Sequence, residues 1–166
     1  MIQEIRIKNF RSFKDEVVFS FEASKDSNFE DKNVIAMNDG TRLLRFAAVF
    51  GANASGKSNL LWVFEFLRRF WKHKPKDSDE KINITPFMLD SETSQKPSQF
   101  HLKFYVGQTK YAYKLIVDSS AVYEEQLNVY TSVQPSSLFS RQLDENDKSV
   151  IKFNSSLKLN ELTVQE

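Results

Sequence analysis

Apolar residues change their spacing several times along this chain, and each change marks an element. Ile5, Ile7 and Phe10 open a strand-like stretch, and Phe13, Val17, Val18, Phe19 and Phe21 follow it. That pattern predicts two strands with a bend near Arg11-Ser12. Residues 23–33 are polar and predict a loop. Val34 to Met37 predicts a short strand, and Asn38-Asp39-Gly40 a turn, because Asp-Gly favours positive φ. Leu43 to Phe50 is apolar almost throughout, which predicts a strand buried on both faces of a parallel sheet. Leu60, Val63, Phe64, Leu67 and Trp71 then fall at helical spacing. Arg68, Arg69, Lys72 and Lys74 crowd the end of that helix, where cations suit the dipole, and Pro75 closes it. From residue 82 the period becomes two. Phe100, Leu102, Phe104 and Val106 alternate with His101, Lys103 and Tyr105, and Gly107-Gln108-Thr109 can turn. Tyr111, Tyr113, Leu115 and Val117 alternate again, and residues 122–133, 137–141 and 149–154 predict further antiparallel strands. The expected fold class is mixed α/β, with subdomains at about 1–80 and 81–166.

Composition narrows the chemistry. The 23 basic and 22 acidic side chains leave a net charge of +1, so neither a basic nucleic-acid coat nor an acidic mimic fits. Fifteen Phe promise an aromatic core. No Cys is present, which removes disulfides, thiolate catalysis and Cys-zinc sites and fits a reducing, cytoplasmic setting. Only His73 and His101 offer imidazole, against a multi-His metal site. The first residues do not resemble a signal peptide, and no apolar run approaches the roughly 20 residues of a membrane span.

The segment Gly51-Ala52-Asn53-Ala54-Ser55-Gly56-Lys57-Ser58 matches G-x-x-x-x-G-K-S, the phosphate-binding P-loop. The pattern arises by chance in roughly one chain of this length in a hundred or fewer. An apolar run before it and an amphipathic helix after it are the context the motif needs. Gly51 lets the chain leave a strand sharply, and Gly56 lets backbone approach phosphate with no Cβ in the way. Successive N–H groups at a helix N-terminus make an anion cradle. Lys57 can neutralise the terminal phosphates, and the Ser58 hydroxyl can ligate Mg²⁺. Two of the four Gly in the chain lie in this loop.

The run from Gly51 to Ser58, continued by Asn59-Leu60-Leu61, resembles the Walker A of ABC-type ATPases of the SMC, RecF and OLD kind. These include bacterial AAA family ATPases of phage-defence and toxin systems. The opening Ile5-Arg6-Ile7-Lys8-Asn9-Phe10-Arg11-Ser12-Phe13 resembles the same group's first strand and turn. Asn53 and Asn59 match positions typical of the group, and Ala54 stands where Gly is commoner. The motif resemblance covers about residues 1–72. The rest matches in layout only, including Thr85-Pro86-Phe87 and a strand pair like the group's antiparallel subdomain. The resemblance implies the N-terminal lobe of a P-loop ATPase head, with ATP and Mg²⁺ as ligands. It also implies nucleotide contacts from Gly51 through Asn59 and from Arg11, with Ser58 on the metal. It implies a missing C-terminal half carrying Walker B and signature, and ATP sandwiched in a homodimer of full heads. DNA, a nuclease or a toxin are further partners it suggests.

Catalytic residues are not identified by the sequence. Leu115-Ile116-Val117-Asp118 is the nearest match to a Walker B, but its strand alternates with Tyr111 and Tyr113 as an antiparallel strand would. Glu124-Glu125 lacks an apolar run before it, and no Gly follows Gly107 to make a signature. The chain alone is therefore expected to hydrolyse ATP negligibly. Two other readings stay open: a nucleotide-binding module without turnover, and a small P-loop kinase using Asp77, Asp79 or Glu80. The basic run Arg68, Arg69, Lys72, Lys74 and Lys76 suits either a phosphate backbone or a solvated face. Tyr105, Tyr111, Tyr113, Tyr123 and Tyr130 suit either base stacking or cross-strand packing.

Overall fold

The computed structural model describes residues 1–25, 30–75, 77, 80–146 and 148–154. Lys76 and Asp79 lie outside the described residues. The elements run β1 (Ile2–Lys8), β2 (Val17–Ser20), α1 (Glu30–Asn33), β3 (Val34–Ala36), β4 (Arg42–Leu44) and α2 (Lys57–Lys72). A short 3₁₀ turn (Thr93–Gln95) precedes β5 (Ser98–Val106), β6 (Thr109–Val117), β7 (Val122–Tyr130), β8 (Ser136–Leu143) and β9 (Ser149–Phe153). Seven strands form one sheet in the order β2-β1-β5-β6-β7-β8-β9, and β3 and β4 pair separately. Among the described residues, every pairing in it is antiparallel. The sheet draws on both sides of residue 80, because β1 pairs with β5 through Ile5↔Leu102 and Ile7↔Phe100.

Alternation decides which face is buried. Ile5, Ile7, Phe100, Leu102, Tyr113 and Leu115 all enter the core, while their neighbours Arg6, His101, Lys103 and Lys114 take the other face. Helix α2 lies across the apolar face with Leu60, Val63, Phe66 and Leu67 buried. Each such side chain contributes about 1.5–3 kcal/mol on leaving water. Phe10, Phe66 and Phe100 form the centre, with ring centroids 5.1–5.8 Å apart. The helical stripe differs from expectation at two places. Phe66 is buried, and Trp71 is half-exposed with its ring edge-on to Tyr113 at 5.3 Å. Residues 60, 63, 66 and 67 share one face, and the helix has passed the centre of the core by residue 71.

The strand expected over Leu43 to Phe50 is not there. Only Arg42–Leu44 is strand, and it pairs antiparallel with β3. Leu43 is buried beside Met37 and Tyr105 in a small second core. Residues 46–50 belong to no strand, and Phe46 and Phe50 are 77% and 89% exposed. The reason is pairing. Both edges of β1 are taken, by β2 and β5, so the seven-stranded sheet closes without this segment. An apolar run becomes a buried strand only where other strands flank it. Among the described residues, no helix is long and apolar enough to cross a membrane.

Candidate functional site

Helix α2 begins at Lys57 with Gly56 as N-cap, φ 90 and ψ 3. No side chain caps it and no acidic residue occupies its first turn. Its first N–H groups and the positive end of its dipole therefore meet no anion from within the helix. Residues 51–55 are exposed and wrap in front of that terminus. The loop is tight. A Cβ on Gly51 would lie 2.9 Å from Ser55 Oγ, and one on Gly56 would lie 2.9 Å from Ser12 Oγ. Ala54 sits at φ 62, a conformation that suits Gly better. Lys57 folds back over the loop, its ammonium donating to the carbonyls of Gly51 at 2.8 Å and Ala52 at 2.7 Å. Ser58 is exposed in the first turn of the helix. Asn59 turns sideways, its Nδ2 donating to Ser12 Oγ at 2.8 Å. Asn53 is exposed at the loop tip.

These groups fit a polyphosphate. Gly56 permits the φ of 90 at the start of the helix and the close approach of Ser12 Oγ, and the ammonium of Lys57 can exchange two neutral carbonyls for anionic oxygens. For a divalent cation the loop itself offers the Ser58 hydroxyl. Among the described residues no cluster of three or more His, Asp or Glu could hold a metal.

The turn after β1 flanks this loop. Phe10 and Phe13 exchange backbone hydrogen bonds at 2.9 and 2.8 Å, which puts Arg11-Ser12 at a two-residue tip. Arg11 takes φ 51, a strained value for a residue with a Cβ. Its guanidinium lies 4.6 Å over the Trp62 ring and 5.8 Å from that of Phe10. Its Nε is buried without a hydrogen-bond partner among the described residues. The side chain that touches the loop from this turn is Ser12. Glu16 accepts from Arg6 at 3.4 Å.

The acidic candidates are engaged elsewhere. Asp118 ends β6, and its Oδ1 accepts from Ser120 and Ala121 while Oδ2 accepts from Tyr123. Burial pushes its carboxyl upward, but those hydrogen bonds outweigh burial and hold it below the usual range. Glu124 pairs with Lys114 at 2.6 Å, and Glu125 accepts from the Tyr113 hydroxyl at 2.7 Å. The basic helix end is partly neutralised. Arg68 and Arg69 both bond Glu65, whose carboxyl they hold down at about 2. His73 faces Glu80 at 3.0 Å. The tyrosines mostly pack and bond across strands: Tyr105 donates to Asp39, Tyr111 stacks on Phe104, and Tyr130 lies under Lys110. A groove of about 1240 Å³ runs from Arg11 and Trp62 along α2 to Tyr113 and Arg141, and none of residues 51–59 lines it.

Sequence reasoning missed Ser12 and Trp62. The signal for Ser12 was its place at the tip of a turn whose neighbours, Phe10 and Phe13, both anchor in the core. Trp62 carried no signal, since an aromatic on the outer face of an amphipathic helix is unremarkable in sequence.

No curated protein matches the chain. Residues 46–155 match the family described as "AAA domain, putative AbiEii toxin, Type IV TA system". That span covers well over half of the chain and takes in the phosphate loop, α2 and most of the sheet. A glycine-capped helix behind a G-x-x-x-x-G-K-S loop, in a mixed α/β fold with a large antiparallel sheet, is consistent with such a domain, although among the described residues no strand leads into the loop. The chain belongs to this AAA-domain family and has a P-loop ATPase-type domain.

Proposed function

We propose that the chain is the ATP-binding lobe of an ABC-type ATPase head of the SMC, RecF and OLD kind. The observation that carries this is the Lys57 ammonium poised over an uncapped helix N-terminus whose first turn holds no acid. In this reading Gly51 through Asn59 cradle the phosphates, and Ser58 binds Mg²⁺, which supplies charge neutralisation at the terminal phosphates. Arg11 contributes from the flanking turn. Residues 1–80 and 81–166 are the two parts of one head.

The exposed run from Phe46 to Phe50 supports a further piece of that head. A C-terminal half carrying Walker B and signature would flank this run and supply the carboxylate that Asp118 does not. Two complete heads then close on ATP as a dimerising switch, in the cytoplasm, in a defence or DNA-related role. DNA, a nuclease and a toxin are the partner classes this role admits. The second reading is nucleotide binding without turnover. It is favoured for this chain by the engagement of Asp118, Glu124 and Glu125 within the sheet.

Titration with Mg-ATP tests the proposal. Lys57→Ala should weaken binding by about 1.5–3 kcal/mol, the worth of a charge-assisted contact. Unchanged affinity would sink it. A turnover assay on this chain and on the full gene product separates the two readings: the full product should turn ATP over only under the first, and this chain should hydrolyse ATP negligibly under both. Ordinary turnover abolished by Asp118→Asn would make it a complete small ATPase of another kind.

A further inference from the structure

Asn9 is buried to 2% exposure, at φ 52, one residue beyond β1. Both ends of its side chain are hydrogen-bonded. Nδ2 donates to the carbonyls of Thr93 at 2.8 Å and Lys96 at 2.6 Å, and Oδ1 accepts from the Phe87 N–H at 3.0 Å. Its own carbonyl accepts from the Ser98 hydroxyl. One carboxamide thus ties the end of β1 to three points on the segment before β5. Two further contacts join the same partners: the Arg11 N–H donates to Thr85 O at 3.0 Å, and Lys14 pairs with Asp90 at 2.7 Å.

The other side of this turn is the phosphate loop. Ser12 Oγ accepts from Asn59 Nδ2 and fills the space beside Gly56. Between Asn9 and Ser12 lie two residues, and Arg11 is held at positive φ to complete the tip. A two-residue tip takes positive φ at its first residue as a matter of turn geometry, and this turn is what sets Ser12 against the loop.

We infer that Asn9 is a positioning residue for nucleotide binding. It fixes the turn so that Ser12 braces Gly56 and Asn59 in the loop conformation that receives phosphate. The inference rests on the reading of Gly51–Ser58 as a nucleotide site. The same chain of contacts couples the loop to the segment from Thr85 to Lys96, so occupancy on one side is felt on the other.

The test is Mg-ATP titration of the protein with Asn9→Gly, Ser12→Ala and the double variant, each with a urea melt. Glycine keeps the positive φ and removes the carboxamide. Asn9→Gly should bind about tenfold more weakly, as loss of roughly 1.4 kcal/mol implies. Ser12→Ala should bind about threefold more weakly, with its urea midpoint unchanged, because it removes one hydrogen bond at an exposed position. The double variant should be no weaker than Asn9→Gly, since the two act in series. Normal affinity in Asn9→Gly with a lowered urea midpoint would make it a fold anchor only, and additive losses would overturn the route through Ser12. Should Asn9→Gly fail to fold, hydrogen exchange decides. Mg-ATP should slow the amides of Arg11 and Phe87 in the parent, and Ser12→Ala should abolish that slowing while residues 54–58 stay protected. No slowing at Arg11 and Phe87 in the parent overturns the inference. A parent that binds no Mg-ATP overturns the site reading itself, and does so before any variant is made.

Discussion

Phe100 belongs to an alternating stretch and Phe50 to a continuous apolar run, yet Phe100 is fully buried and Phe50 is 89% exposed. Phe100 sits on β5, flanked by β1 and β6 and covered by the rings of Phe10 and Phe66. Phe50 follows β4 and precedes the phosphate loop, with no strand on either side among the described residues. Their chemistry is the same, so their fate was set by neighbours. The antiparallel sheet recruits its partners from adjacent hairpins, and each strand brings the next. A strand meant for parallel pairing depends on segments far away in sequence.

Truncation should separate the two sites most sharply. Phe100→Ala should cost about 3–5 kcal/mol in a urea melt, because it opens a cavity beneath α2. Phe50→Ala should stay within about 0.5 kcal/mol. Equal costs would mean that the apolar run before the loop is packed in solution. A smaller effect is expected where the two regions meet. Gly56→Ala brings a Cβ against Ser12 Oγ and puts a side chain at φ 90, so it should cost about 1–3 kcal/mol and weaken Mg-ATP binding as well. Intact binding would show that the Ser12 contact yields easily. Ala54→Gly runs the other way. It relieves about 1–2 kcal/mol of left-handed strain and loses about 0.4–1 kcal/mol through the unfolded chain. A net gain of about 0.5 kcal/mol should appear as a raised urea midpoint, and a loss would place Ala54 elsewhere in φ.

The gentlest probe is pH, and it reads the sheet alone. His101 lies on the polar face between Arg6 of β1 and Lys114 of β6, with Glu16 and Glu124 nearby. Burial first, then Lys114, pushes its pKa below the ordinary 6.5, against the pull of the two glutamates. The unfolded chain therefore binds the proton more readily than the folded one. Stability should fall as pH drops through 6.5, and His101→Gln should remove that slope. A slope that survives the substitution would assign it to other groups.

Much of the sheet was legible because alternation is local. Gly107 at φ 58 turns β5 into β6, and Gly40 at φ 83 turns β3 toward β4, both at positions the sequence marked. The phosphate loop was legible for a related reason, since eight consecutive residues carry its whole chemistry. What could not be read was anything set by a distant partner. Leu43 to Phe50 reads as one strand because its apolarity is continuous, although only its first two residues are in one. The contact between the Arg11 guanidinium and Trp62, a residue 51 positions along, has no signal in the sequence. Asn9 sat in a motif with no role attached, because its partners Phe87, Thr93 and Lys96 follow some 80 residues later.

The uncovered run before the loop also bears on how the protein behaves in a tube. Phe46-Ala47-Ala48-Val49-Phe50 is short, uncharged, free of proline and exposed. Those are the attributes of a segment that stacks with copies of itself into cross-β fibrils. Arg45 on one side and Gly51 on the other act as gatekeepers, a cation that repels its own kind and a residue that resists the strand. A missing half that covered this run, as proposed above, would therefore do more than complete a fold. It would hide a seed, and purified protein should be handled dilute and assayed for thioflavin-positive material whenever that cover is missing.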